Sequence, residues 1–373
     1  MIIDCHAHVF RNWHETCGHP DIGTHLRYLQ KIVTRPSALT YRARDGAPVD
    51  PTMLFRAGDN TWEGLTNVNF RVGRFGQLQF THNGDDYVVQ YMPVGMQSIE
   101  SPPDFMIAQM LAAGVDHCIL QAGGGYGAMS EYNAFAQAQH PARFTGLSWV
   151  DETATDRAEV LDEVRRAHGQ LGLKGLYYAQ DFSRRGYARN LDHPAFGPFW
   201  DLVGELKVPV FVELSSTPNY DRASYLANLA AFDRVLARMP GTRFVLVMGP
   251  PVGHFAQHGT WDFPLEALDT YRRPNLLIEI MFPISWGGKW DYPYPEAQGL
   301  IRGMRDLFGA GKLVWGSDMP NVERFCTYKQ SLDYVLRYCD FLSGSEMDQV
   351  LGLNAAELMG IPTVTRQSKG TPS

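Results

Sequence analysis

The chain has 373 residues, 45% hydrophobic and 20% charged, the balance of a globular protein with a large core. Its 33 basic and 40 acidic residues give a net charge of −7 with no Lys or Arg run, which argues against nucleic acid and membranes as partners; nor does any apolar run approach the ~20 residues of a membrane span. Cys5, Cys17, Cys118, Cys326 and Cys339 are odd in number and contain no Cys-x-x-Cys, which speaks against a disulfide framework or a zinc ribbon and for a reducing, cytoplasmic setting.

Met1-Ile2-Ile3 opens a first strand that runs into Asp4-Cys5-His6-Ala7-His8. Residues i and i+2 of a strand share a face, so His6 and His8 bring two imidazoles to one side, where a divalent metal could sit. A motif starting at residue 4 leaves no room for a cleaved signal peptide. From about residue 27 to 100 the chain is rich in Arg, Gly and Asn and alternates as hairpins do, with Asn83-Gly84 as a turn before Tyr87-Val88-Val89-Gln90-Tyr91. This reads as a small β-rich insertion after strand one, overhanging the carboxyl ends of the strands. From Asp104 onward helices alternate with strands at Val115–Gln121, Phe144–Val150, Leu173–Tyr178, Val208–Leu214, Phe244–Met248, Leu276–Met281 and Leu313–Trp315. Near-continuous apolar strands between helices predict a parallel sheet buried on both faces, and eight such units predict an α/β fold, a (β/α)₈ TIM barrel. An open doubly wound sheet is the alternative. Residues 1–366 are read as a single barrel domain and 367–373 as a disordered tail.

In such a barrel the chemistry sits where strands end. Strand one gives His6 and His8, and strand eight, Leu313-Val314-Trp315-Gly316-Ser317-Asp318, delivers a carboxylate. Strand five places Glu213 within an apolar run, strand seven carries Glu279, and strand four ends at Lys174-Gly175-Leu176-Tyr177-Tyr178. His254 follows strand six after Pro250-Pro251, where a loop histidine able to titrate near neutrality could act as acid or base. Arg324, just beyond Asp318, could clamp a carboxylate, as could Arg184, Arg185, Arg56, Arg71 and Arg74. Trp286 and its aromatic neighbours Trp290, Tyr292 and Tyr294 could wall a pocket or a subunit contact. His14, Cys17, His19 and His25 fit no standard zinc spacing and read as loop residues near the mouth.

With Asp-Cys-His-Ala-His at 4–8, Gly-Ser-Asp-Met-Pro at 316–320 and Leu-Gly-Leu-Asn-Ala-Ala-Glu-Leu-Met at 351–359, the chain resembles the amidohydrolase superfamily. Within it, the resemblance is to the branch holding aminocarboxymuconate-semialdehyde decarboxylase and gamma-resorcylate decarboxylase. Members usually carry a histidine ligand at the end of strand five and a histidine followed by glycine after strand six. Here Glu213 and Met248-Gly249 stand at those places. The resemblance implies one divalent metal ion, Zn²⁺, Mn²⁺ or Fe²⁺, and if the site is rebuilt around these departures, His6, His8, Glu213 and Asp318 are its expected ligands, with Asp318 and His254 catalytic. An oxygen ligand in place of an imidazole moves the preference toward the harder metals.

Glu279 is expected to orient a ligand from behind, and Arg324, Tyr178 and Trp286 to contact substrate. The expected activity is non-oxidative decarboxylation of an aromatic or unsaturated carboxylic acid by a cytoplasmic homodimer acting on a small molecule. Hydrolysis of an ester, lactone, amide or C–C bond is the alternative, and a non-catalytic barrel that binds a small molecule is the second.

Overall fold

The computed structural model describes residues 1–34, 39–57, 59, 62–179, 189–214 and 221–363. The expected tail at 367–373, and Arg184 and Arg185, lie outside these residues. Eight parallel strands follow one another in chain order: β1 (Ile3–Ala7), β2 (His117–Leu120), β3 (Phe144–Ser148), β4 (Gly175–Ala179), β5 (Val210–Glu213), β6 (Phe244–Leu246), β7 (Leu276–Ile280) and β8 (Leu313–Trp315). The ring closes just past the strand ends. The Asp318 amide donates to the His6 carbonyl at 2.8 Å, the His8 amide donates to the Met319 carbonyl at 2.8 Å, and Ala7 bridges Met319 in parallel. The predicted (β/α)₈ barrel is therefore the observed fold, which brings the first and last motifs of the sequence side by side.

Alternation along the strands divides the core in two. Ile119, Leu147, Tyr177, Phe211, Val245, Leu277 and Val314 join an inner cluster. Leu120, Leu176, Tyr178, Val210, Val212, Leu246 and Ile278 join the layer between barrel and helices, with Phe199, Trp200, Phe232 and Leu300. Both faces of the strands are largely apolar because both are covered, the buried Asp4, His6, Glu213 and Glu279 being exceptions. Truncating one fully buried interior ring, Phe211→Ala, costs about 3–5 kcal/mol.

The insertion is a five-stranded antiparallel sheet built from Thr40–Arg42, Pro48–Val49, Arg71–Val72, Gln77–His82 and Asp85–Gln90, with the last two forming the hairpin predicted at Asn83-Gly84. Its buried Leu54, Leu78, Phe80 and Val89 belong to the same cluster as the barrel interior. The insertion thus caps the barrel rather than hanging free. It is preceded by a helix, Ile22–Val33, where a β-rich segment was expected from about 27. That helix starts at Asp21, whose side chain accepts from the Thr24 amide, and it buries Leu29, Ile32 and Val33 along one face. Between β3 and β4 the chain forms a short 3₁₀ turn at Glu152–Ala154 and a helix at Ala158–Gly169. Among the described residues no helix is long and apolar enough to cross a membrane.

Candidate metal centre

Asp4, which opens the first motif, fixes the local geometry. Its buried carboxylate accepts from the amides of His6 and Ser317, each at 3.0 Å, from Ser317 Oγ at 2.5 Å and from Tyr328 OH at 2.6 Å. Burial pushes its pKa up to about 6 despite those donors. One side chain so pins the end of β1 to the turn after β8. The register of β1 shifts between Asp4 and Ala7, and His6 and His8 follow with their rings in one site.

His6 Nε2 lies 3.1 Å from His8 Nε2, which lies 3.0 Å from Asp318 Oδ1, and His6 Nε2 is 3.9 Å from the same oxygen. One donor atom from each of His6, His8 and Asp318 falls within 4.8 Å of the others, and all three residues are buried. Atoms bound to one ion at roughly 2.1 Å sit about 3.0–3.4 Å apart, so the two shorter separations suit a shared divalent cation.

The surroundings fit the same cation. His6 Nδ1 faces Glu279 Oε2 at 3.1 Å and donates to it, which turns the lone pair of Nε2 toward His8 and Asp318. Glu279 Oε2 also accepts from the Met248 amide at 2.8 Å, while its Oε1 is buried with no partner among the described residues. Burial alone would pull the His6 pKa down. The charges of Glu279, Asp318 and Asp4 outweigh it and hold the imidazole at about 9. This pocket is therefore a place that stabilises positive charge. His8 moves the other way, lowered by burial and by the neighbouring His6 charge against the pull of Asp318. Burial would raise the Asp318 pKa, but His8, His6 and Arg324 together hold it below the usual carboxylate range.

Two backbone positions that disfavour side chains frame the site. Asp318 and Met248 take left-handed φ values of 62° and 61°, which non-glycine residues adopt only where the surroundings enforce it. Gly316 has no such φ but is confined by space: a Cβ there would lie 2.8 Å from both Glu279 Oε1 and the His6 Cβ.

Several site residues carried no signal in the sequence. Tyr126 stacks on His8 at 3.9 Å between ring centroids and donates its hydroxyl to Asp318 Oδ1 at 3.3 Å; Asn321 Nδ2 donates to Asp318 Oδ2 at 3.0 Å. Tyr126 follows Gly123-Gly124-Gly125, and a Cβ on Gly125 would lie 1.8 Å from Ile32 Cδ1. The glycines let that loop press onto the helix Ile22–Val33. His19 Nε2 bonds the Gly124 carbonyl at 3.0 Å and His25 Nε2 the Gly125 carbonyl at 3.3 Å. These histidines, read as loop residues, tie down the loop that carries Tyr126.

The remaining sequence-stated candidates separate. Glu213 is buried at the end of β5, and its Oε2 accepts from Tyr177 OH; among the described residues it does not join His6, His8 and Asp318 in the group that could hold a metal. Tyr178 points outward, packed on Phe199 and Trp200, and by strand alternation it is Tyr177 that faces the interior. His254 lies on a short helix, Val252–Phe255, with its ring 6.2 Å from those of Tyr225 and Phe255.

Arg56 pairs with Asp59 and Arg71 with Asp86 inside the insertion, and Arg74 lies over Phe75. Trp286 ends the short helix Phe282–Trp286 and stacks on Trp290 at 4.9 Å; a Cβ on the next residue, Gly287, would lie 2.7 Å from Phe325 Cβ. The Arg324 guanidinium carbon lies over the rings of Phe325 and Tyr91, 4.8 and 5.4 Å from their centroids.

Three solved structures share this architecture. A probable 2-pyrone-4,6-dicarboxylic acid hydrolase from Acinetobacter baumannii, with citric acid bound, is 18% identical over 70% of this chain and 90% of its own, with a TM-score of 0.51. A 2,6-dihydroxybenzoate decarboxylase complexed with 2,6-dihydroxybenzoate is 17% identical over 69% and 87%, at 0.50. A dihydroxybenzoic acid decarboxylase from Polaromonas sp. JS666, with manganese and 2-nitroresorcinol, is 16% identical over 69% and 85%, also at 0.50. At such identities the likeness concerns the fold. No curated protein matches the chain in sequence. The profile described as Amidohydrolase matches residues 3–361, and so takes in the paired histidines of β1, the carboxylate after β8 and the whole barrel between them; the chain belongs to the amidohydrolase family.

Proposed function

We propose that this protein is a metal-dependent carboxy-lyase that releases CO₂ without an oxidant from an aromatic or unsaturated carboxylic acid. The observation that carries this reading is the convergence of His6, His8 and Asp318 inside a barrel with no imidazole at the ends of β5 and β6. His6, His8 and Asp318 would hold one divalent ion, with Mn²⁺ or Fe²⁺ preferred to Zn²⁺ as the share of oxygen ligands rises. Such an ion supplies Lewis acidity toward substrate oxygens. Attack by water is the weaker use of this site, because the hydrogen bonds that Asp318 accepts from Tyr126 and Asn321 lower its basicity toward a water proton. The solved structures of similar fold include decarboxylases of dihydroxybenzoates, which supports the same class of substrate.

In this reading Glu279 orients His6, and Tyr126 covers His8 and steadies Asp318. The C–C bond to the carboxylate breaks, its electron pair stays on the carbon, and that carbon takes up a proton. We assign the proton to the Tyr177–Glu213 pair, which faces the barrel interior, in preference to His254. Tyr177 and Tyr126 flank Gly123, at 3.9 and 3.6 Å from where its Cβ would be. Arg324 and Trp286 are proposed substrate contacts. A cytoplasmic homodimer completes the reading, to be checked by analytical ultracentrifugation.

The test is turnover of hydroxybenzoate substrates by manganese-loaded protein. Release of CO₂ that disappears in His8→Ala supports the carboxy-lyase. Incorporation of ¹⁸O from labelled water into product, without CO₂, replaces it with a hydrolase.

A further inference from the structure

Arg324 is the unexplained cation of this site. It ends the 3₁₀ turn Asn321–Arg324 that follows Asp318, and it is half-buried. Its Nε is fully buried with no hydrogen-bond partner among the described residues. Its guanidinium carbon lies instead over two aromatic rings, Phe325, the residue after its turn, and Tyr91 from the insertion. Cation–π contacts compensate only part of the acceptors a buried guanidinium loses. Asp318 is not the missing acceptor, since its oxygens are engaged by His8, Tyr126 and Asn321. Yet Arg324 belongs to the same turn as Asn321, whose side chain donates to Asp318 Oδ2, and its charge contributes to holding the Asp318 pKa down. A guanidinium with its faces on aromatic rings keeps its edge for a planar, two-oxygen anion.

Which carboxylate it takes follows from the reaction. Decarboxylation drains negative charge from the carboxylate being lost. An arginine paired with that group would hold the ground state more tightly than the transition state and slow the reaction. A carboxylate that survives the reaction carries no such penalty. We infer that the substrate is a dicarboxylate and that Arg324, framed by Tyr91 and Phe325, receives the carboxylate the reaction retains. This rests on the reading of His6, His8 and Asp318 as the centre that takes the substrate's other oxygens. It also gives the insertion a role, since Tyr91 builds one wall of the subsite.

The test is calorimetric binding to manganese-loaded protein of two probes, 4-hydroxyisophthalate and salicylate, which differ by one carboxylate. Wild type should bind the dicarboxylate about 10- to 100-fold more tightly, the range of a charge-assisted pair. Arg324→Gln should erase that preference and leave salicylate unchanged, and Arg324→Lys should restore part of it. Arg324→Gln weakening both probes equally would mean that it holds the shared carboxylate, and the inference falls. It falls too if wild type prefers no dicarboxylate or binds neither probe, or if inorganic phosphate displaces the dicarboxylate at equal concentration. His8→Ala is the separate arm: it should weaken both probes, and if it weakens neither, the metal reading fails whatever Arg324 does.

Discussion

Glu279 offers the sharpest perturbation. Its Oε2 accepts two bonds, from His6 Nδ1 at 3.1 Å and the Met248 amide at 2.8 Å, and the residue is 1% exposed. Glu279→Gln preserves volume and one acceptor but removes the charge behind His6. Losing such a partner typically costs 10- to 100-fold in metal affinity, or about 1.4–2.7 kcal/mol. Glu279→Leu goes further and leaves two buried donors unsatisfied. At roughly 1–3 kcal/mol each, that is about 2–6 kcal/mol of fold stability. The two variants should therefore part company. Glu279→Gln should melt near the wild-type temperature in chelator only above pH 9, where His6 is neutral in the wild type as well, and at pH 7 it should bind Mn²⁺ at least tenfold more weakly in competition with a chromophoric chelator. Glu279→Leu should lose both properties. A Glu279→Gln protein that binds Mn²⁺ within threefold of wild type would refute the claim that Glu279 prepares His6 as a ligand.

Three further outcomes are expected. In chelator-treated protein the folded state holds His6 at about 9 against an ordinary 6.5, so its contribution to stability is complete below about pH 6.5 and lost as pH rises through 9; thermal melts across this window should fall with pH, and less so in Glu279→Gln. Gly316→Ala puts a methyl 2.8 Å from Glu279 Oε1 and the His6 Cβ, so it should cost about 1–3 kcal/mol in denaturant melts and weaken metal binding more than tenfold; unchanged metal affinity would show that the ligand frame tolerates the shift. Glu213→Gln should keep its metal but lose about 100-fold or more in turnover, while His254→Asn stays within threefold of wild type; the reverse pattern would return the acid role to His254.

The barrel was legible because its strands are apolar on both faces and its helices are periodic, a pattern few other folds require. The convergence of His6, His8 and Asp318 was legible for a related reason: they sit at or just past strand ends, where order in the chain maps onto position in the ring. What escaped belongs to loops and to alternation within a strand. Tyr126 and Asn321 reach Asp318 from irregular backbone, and no periodicity announces where a loop side chain will point. Tyr178 was expected to contact substrate, but Tyr177 is the residue of β4 that faces the interior, a difference of one position that strand parity decides and composition does not. The helix at Ile22–Val33 was missed because the Arg- and Asn-rich hairpins beyond it dominated that stretch, although Asp21 and the apolar spacing of Leu29, Ile32 and Val33 were on view.

One diffraction experiment reaches the base of the account: crystals soaked in Mn²⁺, with data collected to display the anomalous signal of the ion. A single peak within bonding distance of His6 Nε2, His8 Nε2 and an oxygen of Asp318, with Glu213 still paired to Tyr177, is the predicted result. A peak seated elsewhere in the barrel, or none at saturating Mn²⁺, would contradict it.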